Sequence, residues 1–132
     1  MENTVLVIDD SLTVRKILET SLLRAGFAAS SFPDGIQAMQ ALTEGRIPLP
    51  DAIILDIGLP KMDGFAVARA LKHQRAFQKA IIIMLSGHDR LIDKLRGRLV
   101  GANAYLTKPF QPAKMLEVLC THLASRDHAS LG

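Results

Sequence analysis

The chain is expected to fold as α/β, with five βα units wound into an open, parallel sheet that carries helices on both faces. Three observations point there. Short apolar runs rich in β-branched residues alternate along the 132 residues with segments of helical period. The runs are apolar on both faces, as strands covered from both sides must be. Each segment between runs is long enough for the right-handed crossover that parallel pairing requires.

The first strand is Val5-Leu6-Val7-Ile8, which runs into Asp9-Asp10. A helix follows, with Ser11 as N-cap, Val14, Ile17, Leu18, Leu22 and Ala25 as its apolar stripe, and Gly26 closing it. A weaker strand spans residues 28–32. Asp34-Gly35 opens the second helix, whose inner side is expected to be Ile36, Met39 and Leu42, and Gly45 ends it. Arg46 to Pro50 is a proline-bearing loop into the third strand, Ala52 to Asp56. After Asp56 the segment Ile57-Gly58-Leu59-Pro60-Lys61-Met62-Asp63-Gly64 is rich in turn residues. A third helix is expected over residues 65–73, a strand over 80–86, a fourth helix over 90–100 and a strand over 104–107. Pro112 suits the first position of the last helix, with Met115, Leu116, Leu119, Cys120 and Leu123 as its inner stripe.

This length fits one domain, residues 1–125, and the small, polar residues 126–132 form a tail expected to fray. Apolar residues make up 48%, which excludes a disordered chain, and no apolar run reaches the roughly 18 residues of a membrane span. Met1-Glu2-Asn3-Thr4 lacks the features of a secretory signal, so a cytoplasmic location is expected. The single cysteine, Cys120, makes no internal disulfide and is expected to be buried in a reducing compartment. Sixteen Lys+Arg against thirteen Asp+Glu give a net charge of +3, too small to imply direct nucleic-acid binding. Locally, Arg90, Lys94, Arg96 and Arg98 face only Asp93, so the fourth helix is cationic. His73, His122 and His128 have no metal-ligand spacing and read as surface residues.

The ends of the apolar runs carry the chemistry. In strand order 2-1-3-4-5 the carboxyl ends of strands one and three are neighbours, and Asp9, Asp10 and Asp56 meet at the topological switch point. Ser86 ends the fourth strand and Lys108 follows the fifth. Three crowded carboxylates suit a hard divalent cation, and a lysine and a serine beside them suit a phosphate. The implied chemistry is phosphoryl transfer onto a carboxylate. Without metal, like charges about 4 Å apart at an effective dielectric near 20 repel by about 4 kcal/mol per pair. A divalent cation should therefore stabilise the fold.

Four segments resemble the receiver (CheY-like) domain of two-component response regulators. They are Val7-Ile8-Asp9-Asp10-Ser11, Leu55-Asp56-Ile57-Gly58-Leu59-Pro60-Lys61-Met62-Asp63-Gly64, Leu85-Ser86-Gly87, and Gly101 to Phe110. Together they span nearly the whole chain, in order and at strand ends. The resemblance implies the flavodoxin-like architecture and makes Asp56 the phosphoacceptor. It makes Asp9, Asp10 and Asp56, with the backbone carbonyl of Gly58, the Mg²⁺ site. Adjacent aspartates point different ways, so one of Asp9 and Asp10 is expected to ligate directly and the other through water. Lys108 would neutralise the phosphoryl group, and Lys108-Pro109 matches a cis peptide. Ser86 would bond a phosphoryl oxygen, and Tyr105 would be the aromatic switch that turns inward with it. Gly58 is smaller than the residues common at its position, and it and His88 border the site.

The implied partners are a sensor histidine kinase or phosphotransfer protein and a downstream output protein or domain, met by the fourth helix, fifth strand and fifth helix. A monomer or weak dimer is expected. The basic segment from Lys94 to Gly101 resembles single-domain receivers of pilus-motility and chemotaxis-like systems. A receiver fragment of a larger regulator, with a DNA-binding or enzymatic output domain, is the alternative. The chain is not expected to be a turnover enzyme, but a phosphoacceptor that takes part in its own phosphorylation and dephosphorylation. A Mg²⁺-dependent, haloacid-dehalogenase-like phosphatase needs a general acid where Gly58 stands. A flavodoxin-type cofactor module needs a phosphate loop where Asp9-Asp10 would repel the phosphate. A degenerate docking scaffold would not need the full set of Asp9, Asp10, Asp56, Ser86 and Lys108.

Overall fold

A computed structural model describes residues 3–58, 63–87, 94–96, 98 and 100–131, with residues 127–131 described through their backbone alone. The strands are β1 (Thr4–Ile8), β2 (Ala28–Phe32), β3 (Ala52–Asp56), β4 (Ile81–Ser86) and β5 (Ala104–Thr107). All pairs are parallel and the order is β2-β1-β3-β4-β5, as predicted. The helices between them are α1 (Leu12–Arg24), α2 (Gly35–Thr43) and α3 (Gly64–Lys72), followed by a single 3₁₀ turn, Arg75–Phe77. Residues 94–96 and 98 are helical, and a C-terminal helix spans Pro112–Leu131.

Local chemistry starts and stops these elements where expected. The Ser11 hydroxyl accepts from the Val14 N–H at 3.2 Å, and the Asp34 carboxylate accepts from the Gln37 N–H at 2.8 Å. Each satisfies a donor that a helix start leaves unpaired. Gly26, with φ of 91°, takes the left-handed conformation that ends α1.

The strand period of two sorts the core into two layers. Leu6, Ile8, Ile53, Leu55, Ile82 and Met84 face one way, against α3, with Val100 in the same cluster. Val5, Val7, Ala52, Ile54, Ile83 and Leu85 face the other, against Leu18 and Leu22 of α1 and Met115, Leu119 and Leu123 of the C-terminal helix. Burying each such leucine stabilises the fold by roughly 1.5–3 kcal/mol.

Three local expectations are corrected. Ile17 and Ala25 lie outside the buried stripe of α1 and are exposed. In α2, Ala38 and Ala41 are fully buried while Ile36 is 47% exposed, with Met39 and Leu42 only partly buried. The residues that face the sheet there are the small ones. Cys120 is exposed, because the inner line Met115–Leu119–Leu123 turns it outward. The C-terminal helix runs on past Ser125 to Leu131. No Gly or Pro interrupts residues 113–131. Arg126 also donates to the Asp51 carbonyl at 3.2 Å and pairs with its carboxylate at 3.5 Å. No helix among the described residues is long and apolar enough to cross a membrane.

Candidate functional site

Register and strand parity build the site before any side chain is considered. Val7 pairs with Ile54 and Ile8 with Leu55, so Asp9 emerges level with Asp56. Asp9 shares the face of Val7, Asp56 that of Ile54, and Lys108 that of Leu106, all on the side of α1 and the C-terminal helix. Three ionisable groups from three strands therefore leave the sheet at one pole with the same orientation.

Their geometry is tight. Lys108 Nζ stands 2.7 Å from Asp9 Oδ2 and 3.3 Å from Asp56 Oδ2. Asp9 is wholly buried. Its Oδ1 accepts from the Ser11 N–H at 2.9 Å, and its N–H donates to the Phe32 carbonyl at 3.1 Å. Arg15 Nη1 donates to the Asp9 carbonyl at 2.7 Å. Asp56 is buried, and its Oδ1 accepts from the Gly58 N–H at 3.0 Å. Asp10 is exposed, yet one carboxylate oxygen from each of Asp9, Asp10 and Asp56 lies within 4.8 Å of the others.

Burial pushes the Asp56 carboxyl above its ordinary range, and the neighbouring Asp9 charge adds to this; the Gly58 N–H and Lys108 pull the other way without cancelling it. Burial alone would lower the Lys108 ammonium. Its hydrogen bond to Asp9 and the charges of Asp56 and Asp9 overcome that and hold it above its ordinary range. An aspartate raised by burial beside a lysine raised by two carboxylates marks a functional site better than a structural ion pair does. The oxygen-only donor set, at this spacing, fits a small hard cation.

Ser86, also buried, ends β4 beside this cluster, and its carbonyl accepts the Lys108 N–H at 2.6 Å. Lys108-Pro109 is cis, as the resemblance implies. Tyr105 does not join the carboxylates. It pairs in register with Met84, sits half-buried on the α3 side, and has Lys94 Nζ at 6.0 Å from its ring centre. Gly58 meets Asp56 through its N–H. His88 and most of the fourth helix lie outside the described residues.

Two participants escaped the sequence reading. Gly64 packs so closely against the end of β3 that a Cβ there would lie 2.5 Å from the Asp56 carbonyl oxygen and 2.7 Å from the Ile57 Cα. The sequence showed it as the last residue of the turn-rich segment after Asp56, with no sign that it packs against that strand end. Arg15 gave none, since an arginine four residues past an N-cap is ordinary.

Fold and site define a doubly wound α/β domain with a lysine-clamped acidic pocket at the carboxyl ends of its strands. The chain belongs to the response regulator receiver domain family, whose model matches residues 5–120. Protein PilG of Pseudomonas aeruginosa is 38% identical over 121 residues, which cover 92% of this chain and 87% of PilG. The alkaline phosphatase synthesis transcriptional regulatory protein PhoP of Bacillus subtilis is 36% identical over 115 residues, covering 87% of this chain but 46% of PhoP. The chain thus spans less than half of that second relative. The high-resolution structure of the chemotaxis response regulator CheY4 of Vibrio cholerae aligns with a TM-score of 0.82 at 31% identity, over 92% of this chain and 99% of that one.

Proposed function

We propose that this receiver is a phosphorylation-driven switch in which Asp56 accepts a phosphoryl group from the phosphohistidine of a sensor kinase or phosphotransfer protein. The observation that carries this reading is the Asp56 carboxylate, strand-borne and buried, held between the Lys108 ammonium and the Asp9 and Asp10 carboxylates. In the transfer, the P–N bond to the donor imidazole breaks as a P–O bond to an Asp56 oxygen forms. The imidazole leaves with the bonding pair and takes up a proton.

Asp9, Asp10 and Asp56, with the Gly58 carbonyl, would hold Mg²⁺. When bound, the ion supplies positive charge against the phosphoryl oxygens. The chain's own residues do the rest. The β3 backbone and the Gly58 N–H orient Asp56, so the nucleophile is presented with little motion. Lys108 already spans Asp9 and Asp56, and a phosphoryl dianion would compete with Asp9 for its ammonium. Ser86 would bond a second phosphoryl oxygen, and Tyr105 would follow it by turning inward. That shift biases a pre-existing equilibrium of the face formed by the helical residues 94–96 and 98, β5 and the C-terminal helix. This face carries Lys94, Arg96 and Arg98, so an acidic output partner fits it.

No general acid stands at Gly58, which favours a phosphoacceptor over a turnover phosphatase. Such a switch works in the cytoplasm, where kinases supply the phosphoryl group.

Intact mass after incubation with Mg²⁺ and acetyl phosphate tests the proposal. One acid-stable, base-labile phosphoryl adduct on the parent, absent from Asp56→Asn, is expected. An equal adduct on both forms would place the acceptor elsewhere. No adduct together with no stabilisation by Mg²⁺ would leave only a docking scaffold.

A further inference from the structure

Asp9, Asp10 and Asp56 are not held alike. Asp9 is gripped by Lys108 Nζ at 2.7 Å and by the Ser11 N–H at 2.9 Å. Asp56 is gripped by Lys108 Nζ at 3.3 Å and by the Gly58 N–H at 3.0 Å. Asp10 is exposed, and among the described residues its carboxylate has no hydrogen-bond or ion-pair partner. One of its oxygens nevertheless lies within 4.8 Å of an oxygen of each of the others. Its own backbone must therefore place it.

That backbone is anchored through two peptide planes. Each peptide is a rigid unit, so holding one atom of each plane restricts the φ and ψ of the residue between them. In the Asp10–Ser11 plane, the N–H donates to Asp9 Oδ1. In the Asp9–Asp10 plane, the carbonyl accepts from Arg15 Nη1 at 2.7 Å. Arg15 reaches this carbonyl from α1, where its own backbone N–H donates to the Ser11 carbonyl at 3.0 Å. One residue thus spans the turn from β1 into α1 and holds a carbonyl on each side of Asp10.

Local preference does not explain the arginine. It stands within about a turn of the start of α1, where the helix dipole disfavours a cation. It is partly buried, and among the described residues no carboxylate pairs with it. Its side-chain hydrogen bond goes to the Asp9 carbonyl.

We propose that Arg15 is a positioning residue for the divalent-cation site: by holding the Asp9–Asp10 peptide, it keeps the Asp10 carboxylate beside those of Asp9 and Asp56. This rests on the reading that the three carboxylates take Mg²⁺. Charge and positioning predict opposite signs. Removing a bystander guanidinium would relieve repulsion of the ion and tighten its binding. Removing a group that orients a ligand loosens binding.

Mg²⁺ titration of the full chain, followed through the backbone amide shifts of residues 9–11 and 56–58, reads the affinity without phosphorylation. Arg15→Met keeps the apolar stem and removes the donor, and should raise the Mg²⁺ dissociation constant about tenfold. Arg15→Lys returns a donor without the planar fork and should recover part of that loss. Arg24→Ala, in the last turn of α1, removes the same charge roughly 14 Å further along the helix and should leave the affinity unchanged. In labelling by acetyl phosphate, Arg15→Met should need more Mg²⁺ for its half-maximal rate yet reach the parent's rate at saturation. Equal or tighter Mg²⁺ binding in Arg15→Met would overturn the proposal, as would an equal loss in Arg24→Ala. If Arg15→Met does not fold, Arg15→Lys decides alone, and affinity matching the parent's would overturn the proposal. A parent whose shifts never saturate would instead remove the Mg²⁺ site itself, and the role of Arg15 with it.

Discussion

Lys108 and Asp9 are joined by the shorter contact at the acidic pole: the ammonium lies 2.7 Å from Asp9 Oδ2 and 3.3 Å from Asp56 Oδ2. The lysine is thus anchored on the wholly buried Asp9 more closely than on Asp56, the proposed acceptor. Among the described residues, one cation compensates two carboxylates that otherwise accept from backbone N–H groups, at Ser11 and Gly58.

Removing that cation should be costly. Lys108→Met leaves Asp9 and Asp56 facing each other in a buried setting. A loss of about 2 kcal/mol is expected in EDTA, below the 3–5 kcal/mol typical of a broken buried pair because the lysine is partly exposed. Mg²⁺ should recover more stability in the variant than in the parent. Urea unfolding with and without the ion reads both, and equal stability of the two metal-free forms would contradict the compensation argument.

Acid titration should report Asp56. Its folded pKa is raised above the unfolded value of 3.8, so between those two values the folded state holds the extra proton. Stability contributed by this group is therefore greatest in acid and falls as pH rises through the window above 3.8. In metal-free unfolding, Asp56→Asn should lack that fall and be the more stable form at neutral pH. Lys108 acts at the alkaline end. Its raised pKa means its contribution is full below 10.5 and is lost as pH climbs through the higher folded value.

Two glycines near Asp56 should respond oppositely. A Cβ on Gly64 meets the Asp56 carbonyl oxygen at 2.5 Å and the Ile57 Cα at 2.7 Å, both backbone atoms that have little room to yield. Gly64→Ala should cost about 2 kcal/mol and slow phosphorylation by shifting the loop that aims Asp56. A Cβ on Gly58 finds only Asp56 Oδ1, at 3.8 Å, so Gly58→Ala should fold normally. Thermal unfolding and the rate of adduct formation check the pair; equal effects would show that the contact under Asp56 does not matter.

Arg96 ties the cationic face to the start of α3. Its guanidinium lies 4.2 Å from the centre of the buried Phe65 ring and 3.7 Å from Asp63, which caps α3 by accepting from the Phe65 N–H. Arg96→Ala should cost about 1 kcal/mol, with Arg96→Lys restoring only part of it because an ammonium does not stack on the ring. A double-mutant cycle with Phe65→Leu measures the coupling, and strictly additive costs would remove it.

The sequence by itself determined the alternation of five strands with helices, the helix starts at Ser11, Asp34 and Pro112, and the residues that end each strand, because period and capping are local properties. It named Asp9, Asp10, Asp56, Ser86 and Lys108, which share one sheet edge in any parallel arrangement of these strands. Only the tertiary structure decided that Lys108 settles on Asp9, that Arg15 braces the Asp9 carbonyl, and that Gly64 lies against Asp56. It also decided that Ala38 and Ala41 go inside while Ile36 and Cys120 stay out. These outcomes depend on distances between segments far apart in the chain. A hydrophobic pattern records which residues can be buried, whereas the gap between a helix and the sheet selects which of them fit.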